Sequence, residues 1–134
     1  MKVFLVDDAL IIRQRLAKML ATLKDVHLIG EAAEADEAIQ AIRQLHPDVV
    51  ILDLQLSRGT GFDVLAGIKK DKTAPVVILL TNFPYPEFRQ KGLEAGADFF
   101  FDKSTEFQKI PNVFLQLSQA RHPRRKSLAF RTDP

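Results

Sequence analysis

The stretch Asp48-Val49-Val50-Ile51-Leu52-Asp53-Leu54-Gln55-Leu56 constrains the fold more than any other part of the chain. Four consecutive branched apolar residues with no polar alternation suit a strand covered on both faces, which places Val49 to Leu52 in the middle of a parallel sheet. The run ends on a carboxylate, Asp53. In open α/β sheets the functional crevice lies beyond the carboxyl ends of the strands, so an acid there faces a ligand rather than the core. Asp7 and Asp8 end the first apolar run, Lys2 to Val6, in the same way. The three carboxylates are therefore expected to meet.

The rest of the chain alternates strand and helix around that run. After Lys2 to Val6, Asp8 is expected to cap a helix with Ile12, Leu16, Met19, Leu20 and Leu23 inward and Arg13, Arg15, Lys18 and Lys24 wet. Val26 to Glu31 reads as a shorter, more polar strand nearer a sheet edge. Asp36 and Glu37 suit the positive end of a helix that turns Ala38, Ile39, Ile42 and Leu45 inward and stops at His46-Pro47. Ser57 to Gly61 is a loop, and Phe62, Leu65 and Ile68 define a third helix ending near the cations Lys69 to Lys72. Pro75 opens a second continuous apolar run, Val76 to Leu80, which closes on Thr81.

Asn82-Phe83-Pro84-Tyr85-Pro86 is a stiff loop, with Pro86 as first residue of a helix to about Ala95 and Gly96 as its C-cap. Phe99 to Phe101 is the fifth strand. One turn near Thr105 to Lys109, then either a kink or a fresh helix start with Pro111 in the first turn, completes the pattern, and His122-Pro123 ends it. Five β-α repeats imply a doubly wound α/β fold, a parallel sheet with helices on both faces and right-handed crossovers.

A chain of 134 residues with 46% hydrophobic content fits one domain. No cysteine is present, which excludes a disulfide framework or a thiolate metal site and suits a reducing cytoplasm. Met1 leads straight into a strand, so neither a signal peptide nor a membrane span is expected. Of the 19 basic residues, Arg121, Arg124, Arg125, Lys126 and Arg131 lie after Ala120 with one acid, Asp133. Residues 1–120 thus carry 14 basic and 16 acidic groups, and 121–134 is read as a flexible, solvated basic tail. Direct nucleic-acid binding by it is not expected.

Four positions fall at strand ends: Asp7 with Asp8, Asp53, Thr81, and Lys103. Three carboxylates close together repel, so either one is protonated or a cation sits among them, and hard oxygen ligands favour Mg²⁺. Lys103 supplies a cation for a phosphoryl oxygen and Thr81 a hydroxyl. An acid nucleophile, a divalent cation, a lysine and a hydroxyl are the parts required for phosphoryl transfer to an aspartate.

From Lys2 to about Ala120 the sequence resembles the receiver domain of two-component response regulators. The matching residues are Val6-Asp7-Asp8, Asp53 after Val49 to Leu52, Gly61, Thr81 after Val76 to Leu80, Gly96-Ala97-Asp98, and Lys103. The resemblance implies strand order 2-1-3-4-5, with Asp53 as phosphoacceptor. It also implies Mg²⁺ held by Asp8, Asp53 and the Gln55 backbone carbonyl, with Asp7 acting through water, and phosphoryl oxygens held by Thr81 and Lys103. It implies a histidine kinase or phosphotransfer protein as donor, self-catalysed transfer with no other enzymatic activity, and a switch in which Thr81 turns and Phe100 moves inward. The output partner is not implied, and homodimerisation is left open.

Several residues depart from the family pattern. Phe100 stands where tyrosine is frequent; the alternative reading makes it one of three stacked phenylalanines serving the core. Ser57 replaces a proline, which predicts a less rigid loop, and Ser104 replaces the proline after the lysine, which predicts a trans bond. Phe83 is positioned to hinder the water that hydrolyses an acyl phosphate. His27, His46 and His122 lack metal-ligand spacing. Asp48 and Asp63 are read as caps, Asp102 as solvated, and Tyr85 as a partner contact or a lid.

The leading function is a phosphoacceptor signalling switch, its change at the Thr81 and Phe100 surface read by a partner. The alternative is the receiver portion of a longer DNA-binding regulator, although no helix-turn-helix pattern fits residues 121–134. A third is an aspartyl-nucleophile phosphatase, which usually has a second acid where this chain has Gln55.

Overall fold

A computed structural model describes residues 1–71 and 73–120. Its elements run β1 Lys2–Val6, α1 Leu10–Ala21, β2 His27–Ala32, α2 Ala35–Leu45, β3 Val49–Leu52 and α3 Gly61–Ile68. They continue through β4 Val76–Thr81, α4 Pro86–Glu94, β5 Phe99–Asp102, a 3₁₀ turn Phe107–Lys109 and α5 Ile110–Ala120. The five strands form one parallel sheet in the order β2-β1-β3-β4-β5, as expected. The basic tail, His122 and Lys72 lie outside the described residues.

Strand alternation splits the core into two layers. Phe4, Val6, Val50, Leu52, Val77, Leu79 and Phe100 point to one face, where Ala38 and Ile42 of α2 and Val64, Leu65 and Ile68 of α3 cover them. Val3, Leu5, Val49, Ile51, Ile78 and Leu80 point to the other, under Leu16 and Leu20 of α1 and Ile110, Val113 and Phe114 of α5. Both faces are covered, which explains why β3 and β4 carry no polar alternation. The three phenylalanines of β5 do not form one stack. Phe99 and Phe101 stack with centroids 6.1 Å apart, and Phe100 turns to the opposite layer, because successive side chains of a strand alternate.

Three local expectations are corrected. Asp8 does not cap α1: the N-cap is Ala9, without a side-chain bond, and it is Asp7 whose Oδ1 accepts the Ala9 N–H at 2.8 Å. Arg13 is not on the wet side; its Nε donates to Glu31 at 2.9 Å and its Nη1 to the Asp7 carbonyl. Leu45 is 42% exposed. Helix α3 ends at Ile68 with Lys69 as its C-cap, as expected, and the Lys69 ammonium donates to the Pro75 carbonyl at 2.7 Å and to Asp98 at 3.1 Å.

The Gly96-Ala97-Asp98 stretch is explained by that last contact. Asp98 Oδ2 accepts the Val77 N–H at 2.9 Å and the Lys69 ammonium, joining α3, β4 and the start of β5. Gly96 has φ +109 and lies against the Lys69 stem, where a Cβ would sit 3.0 Å from Cγ. That conformation is one L side chains rarely adopt. The expected caps are present: Asp48 accepts the Lys2 N–H at 2.7 Å, and Asp63 forms a capping box with Thr60 at the start of α3. The 3₁₀ turn before α5 leaves Pro111 in the first turn of that helix, where its missing N–H is harmless.

Candidate functional site

Sheet register brings the acids together. Val6 of β1 pairs with Leu52 of β3, so Asp7 and Asp53 follow level residues, and the Asp53 N–H donates to the Val6 carbonyl at 2.9 Å. One carboxylate oxygen from each of Asp7, Asp8 and Asp53 lies within 4.8 Å of the others. Two strands away, Thr81 pairs with Asp102, and the Lys103 N–H donates to the Thr81 carbonyl at 2.8 Å. This register aims the Lys103 side chain back across the strand ends. Its ammonium donates to Asp7 Oδ2 at 2.7 Å and to Asp53 Oδ2 at 3.0 Å.

Asp7, Asp53, Thr81 and Lys103 are all buried, whereas Asp8 is exposed. Burial raises the Asp53 pKa above the ordinary carboxylate range; the Lys103 charge and hydrogen bond oppose the rise, and the Asp7 charge adds to it. For Lys103, burial favours the neutral amine, but the Asp7 hydrogen bond and the Asp53 charge outweigh it and the pKa is raised. The lysine is firmly charged, and the acids remain in excess.

Three carboxylates face one ammonium, an imbalance equal to the charge of one divalent cation. The donors are all hard oxygens, which fits Mg²⁺ and not a thiolate- or imidazole-selecting metal. Gln55, two residues after Asp53, is exposed, and its N–H donates to Asp53 Oδ1 at 3.4 Å. The loop carrying it is tied back by an antiparallel bridge between Gln55 and Thr60. The Ser57 hydroxyl adds a 3.1 Å bond to the Ala33 carbonyl, giving the loop an anchor in place of the absent proline ring.

Thr81 Oγ1 accepts the Phe83 N–H at 3.0 Å. Phe100 is 5% exposed, and the Arg89 guanidinium lies 5.8 Å from its ring centre. Asp102 does not join the acids: its Oδ1 accepts the Ser104 N–H at 2.9 Å and hydroxyl at 2.7 Å, and those bonds lower its pKa. No cis peptide bond occurs among the described residues, so Lys103–Ser104 is trans, as expected from the missing proline.

Two contacts were not expected from the sequence, that of Arg13 with Asp7 and that of Gly61 with Asp53. Arg13 holds the backbone of Asp7, and no periodicity separates it from the wet arginines around it. Gly61 passes so close to Asp53 that a Cβ would collide with the Asp53 carbonyl oxygen. A single glycine in a loop carries no sign of which backbone it approaches.

The sequence matches the profile of the response regulator receiver domain over residues 3–114. It is 31% identical over 118 residues to the response regulator protein VraR of Staphylococcus aureus, an alignment covering 88% of this chain and 56% of that protein. The chain therefore spans little more than half the length of the curated relatives it matches. The signal receiver domain of the response regulator NarL from Mycobacterium tuberculosis superposes with a TM-score of 0.80 at 25% identity, covering 90% of this chain and 97% of that one. A LuxR-family DNA-binding response regulator from Staphylococcus aureus superposes with a TM-score of 0.79 at 23% identity, covering 87% and 97%.

Proposed function

This chain belongs to the response regulator receiver domain family of two-component systems, and on that premise we propose that Asp53 is its phosphoacceptor and that the chain works as a signalling switch. The observation that carries the reading is the pocket's charge: three clustered acids against a single buried ammonium. Receiver domains generally bind Mg²⁺ at such an acidic pocket. In this chain Asp8, Asp53 and the Gln55 carbonyl would hold the ion, with Asp7 contributing through water. When bound, Mg²⁺ neutralises charge on the transferred group.

The protein's own residues supply the rest. An Asp53 oxygen attacks the phosphorus of a phosphohistidine; the P–O bond forms as the P–N bond breaks, and the imidazole nitrogen takes a proton from solvent. Lys103 leaves its bond to Asp53 and pairs with a phosphoryl oxygen, as a flexible ammonium is suited to do. The Thr81 hydroxyl donates to another oxygen. The donor on this reading is a histidine kinase or phosphotransfer protein, the compartment is the cytoplasm, and the only group the chain modifies is its own aspartate. A partner reads the altered surface formed by the loop after Thr81, α4 and β5.

The test is incubation with Mg²⁺ and a small acyl phosphate, followed by intact mass measurement. One added phosphoryl group is expected in the wild type and none in Asp53→Asn; identical behaviour of the two proteins rejects the assignment. A second reading, that this is the receiver portion of a longer DNA-binding regulator, is favoured by the 56% coverage of VraR. It predicts a reading frame that continues past Pro134.

A further inference from the structure

Lysine is a poor residue for holding a charge at one fixed point, because its long stem loses much rotamer freedom when its end is pinned. The Lys103 ammonium is nevertheless held by Asp7 Oδ2 at 2.7 Å and Asp53 Oδ2 at 3.0 Å, and the residue is 6% exposed. Its own backbone stands just beyond β5, where the ladder gives out. The Lys103 N–H still donates to the Thr81 carbonyl at 2.8 Å, but the next two residues, Ser104 and Thr105, are exposed. Without a further tether, the root of the stem would move with an exposed loop, and the ammonium with it.

Asp102 supplies that tether. Its Oδ1 accepts the Ser104 N–H at 2.9 Å and the Ser104 hydroxyl at 2.7 Å, so the residues on either side of Lys103 are tied to each other across it. A carboxylate bonded to the backbone two residues on is an Asx turn, which fixes the residue between. The backbone of Asp102 is held in its turn: its N–H donates to Glu106 Oε1 at 2.8 Å, and its carbonyl accepts the Glu106 N–H at 2.8 Å. The Lys109 ammonium braces Glu106 Oε2 at 2.8 Å. Phe107, next in the chain, is buried in the layer under α1, with the Arg15 guanidinium 3.9 Å from its ring centre. The clasp therefore has a fixed base. Bonds from Ser104, with smaller contributions from Thr105, lower the Asp102 pKa, so the carboxylate is an acceptor throughout the neutral range.

We propose that Asp102 is a positioning residue for the phosphoryl-transfer site: its carboxylate clasps Ser104 and thereby aims the Lys103 side chain across the strand ends at Asp7 and Asp53. This rests on the reading of Lys103 as the partner of a phosphoryl oxygen. Asp102 acts through its hydrogen bonds and not through its charge, since Oδ1 faces Ser104 while the ammonium pairs with Asp7 and Asp53. With the Lys103 backbone held on both sides, the ammonium passes from Asp53 to a phosphoryl oxygen by turning its outer carbons alone. A group kept within reach of the reacting atoms in this way has its entropy cost met on folding.

Trace acetylation of lysines, read by peptide mass at one fixed pH without Mg²⁺, tests the clasp independently of phosphorylation. A buried, paired ammonium reacts slowly, and Lys69, paired with Asp98 at 3.1 Å and with its side chain 18% exposed, is the control within the same chain. Asp102→Ala is expected to speed acetylation of Lys103 about five- to tenfold, the range that loss of hydrogen bonds of ordinary strength allows, with Lys69 unchanged. Ser104→Ala, which removes one bond and no charge, speeds it about two- to threefold. Asp102→Asn keeps the accepting oxygen without the charge and stays within about twofold of the wild type. Phosphoryl uptake from a small acyl phosphate with Mg²⁺, followed by intact mass, slows in Asp102→Ala and recovers in Asp102→Asn.

Lys103 acetylation unchanged in both Asp102→Ala and Ser104→Ala overturns the inference. So does Asp102→Asn reacting as fast as Asp102→Ala, which would make the effect one of charge, or a rise shared equally by Lys69 in both alanine variants, which would make it general loosening. Absence of any added phosphoryl group in the wild type overturns the phosphoacceptor reading instead, and acetylation still decides whether Asp102 holds Lys103.

Discussion

At the scale of single residues, the pocket trades stability for charge. An ionised Asp53 is disfavoured by its burial, so replacing it with a neutral amide of the same shape relieves the excess. Asp53→Asn is expected to stabilise the Mg²⁺-free protein by about 1 kcal/mol, a rise of roughly 2–8 °C in Tm. Mg²⁺ should raise the Tm of the wild type more than that of the variant, since an ion bound only by the folded state stabilises it. A lower Tm for Asp53→Asn in calorimetry would refute the excess-charge account. Lys103 is the counterweight. Lys103→Met leaves two buried carboxylates without their cation and should cost about 3–5 kcal/mol at neutral pH by urea unfolding, with part of the loss recovered in acid as the carboxylates protonate. Phe83 also stands beside the pocket in sequence, and its ring rests against Tyr85 at 6.2 Å. If it hinders water, Phe83→Ala loses the phosphoryl group several-fold faster, as followed by intact mass over time.

At the scale of elements, α3 shows how a loop and a helix start support the acceptor. Thr60 and Asp63 satisfy each other's backbone N–H groups, and Gly61 lets the helix begin against the Asp53 carbonyl. The two kinds of support separate experimentally. Thr60→Ala removes a cap and should lower stability by about 1 kcal/mol with phosphoryl uptake unchanged. Gly61→Ala drives a methyl group into the backbone of Asp53, so it should cost about 1–3 kcal/mol and also slow uptake, because the acceptor itself shifts. Equal uptake rates in the two variants would show that the close approach does not position Asp53. Asp63 was legible in the sequence as a cap; its partner Thr60 was supplied by the structure. The approach of Gly61 to Asp53 was not legible, because it depends on where β3 ends relative to α3. The same holds for Asp8, expected as a cap and found exposed at the pocket mouth while Asp7 takes the Ala9 N–H.

At the scale of the whole molecule, the pocket sets how stability varies with pH. Asp53 has its folded pKa raised above the ordinary value of 3.8, so the folded state binds its proton more readily than the unfolded chain, and stability falls as pH rises from 3.8 through the folded pKa. Lys103 is raised above 10.5, so its contribution is complete below that pH and is lost as pH climbs through the folded value. Chemical denaturation across pH should show both slopes, the acidic one flattened in Asp53→Asn. Hydrophobic pattern alone determined the doubly wound layout: β3 and β4 read as buried strands because no polar residue interrupts them, and each ends on a group set for chemistry. Pro47, Pro86 and the cap residue Asp63 marked the end of α2 and the starts of α4 and α3, since those signals act within a few residues. Tertiary structure alone decided that Arg13 grips Asp7, that Phe100 faces away from Phe99 and Phe101, and that Lys103 reaches both Asp7 and Asp53. Those contacts join residues up to 96 positions apart, and their geometry follows from strand register and twist, which no local spacing encodes.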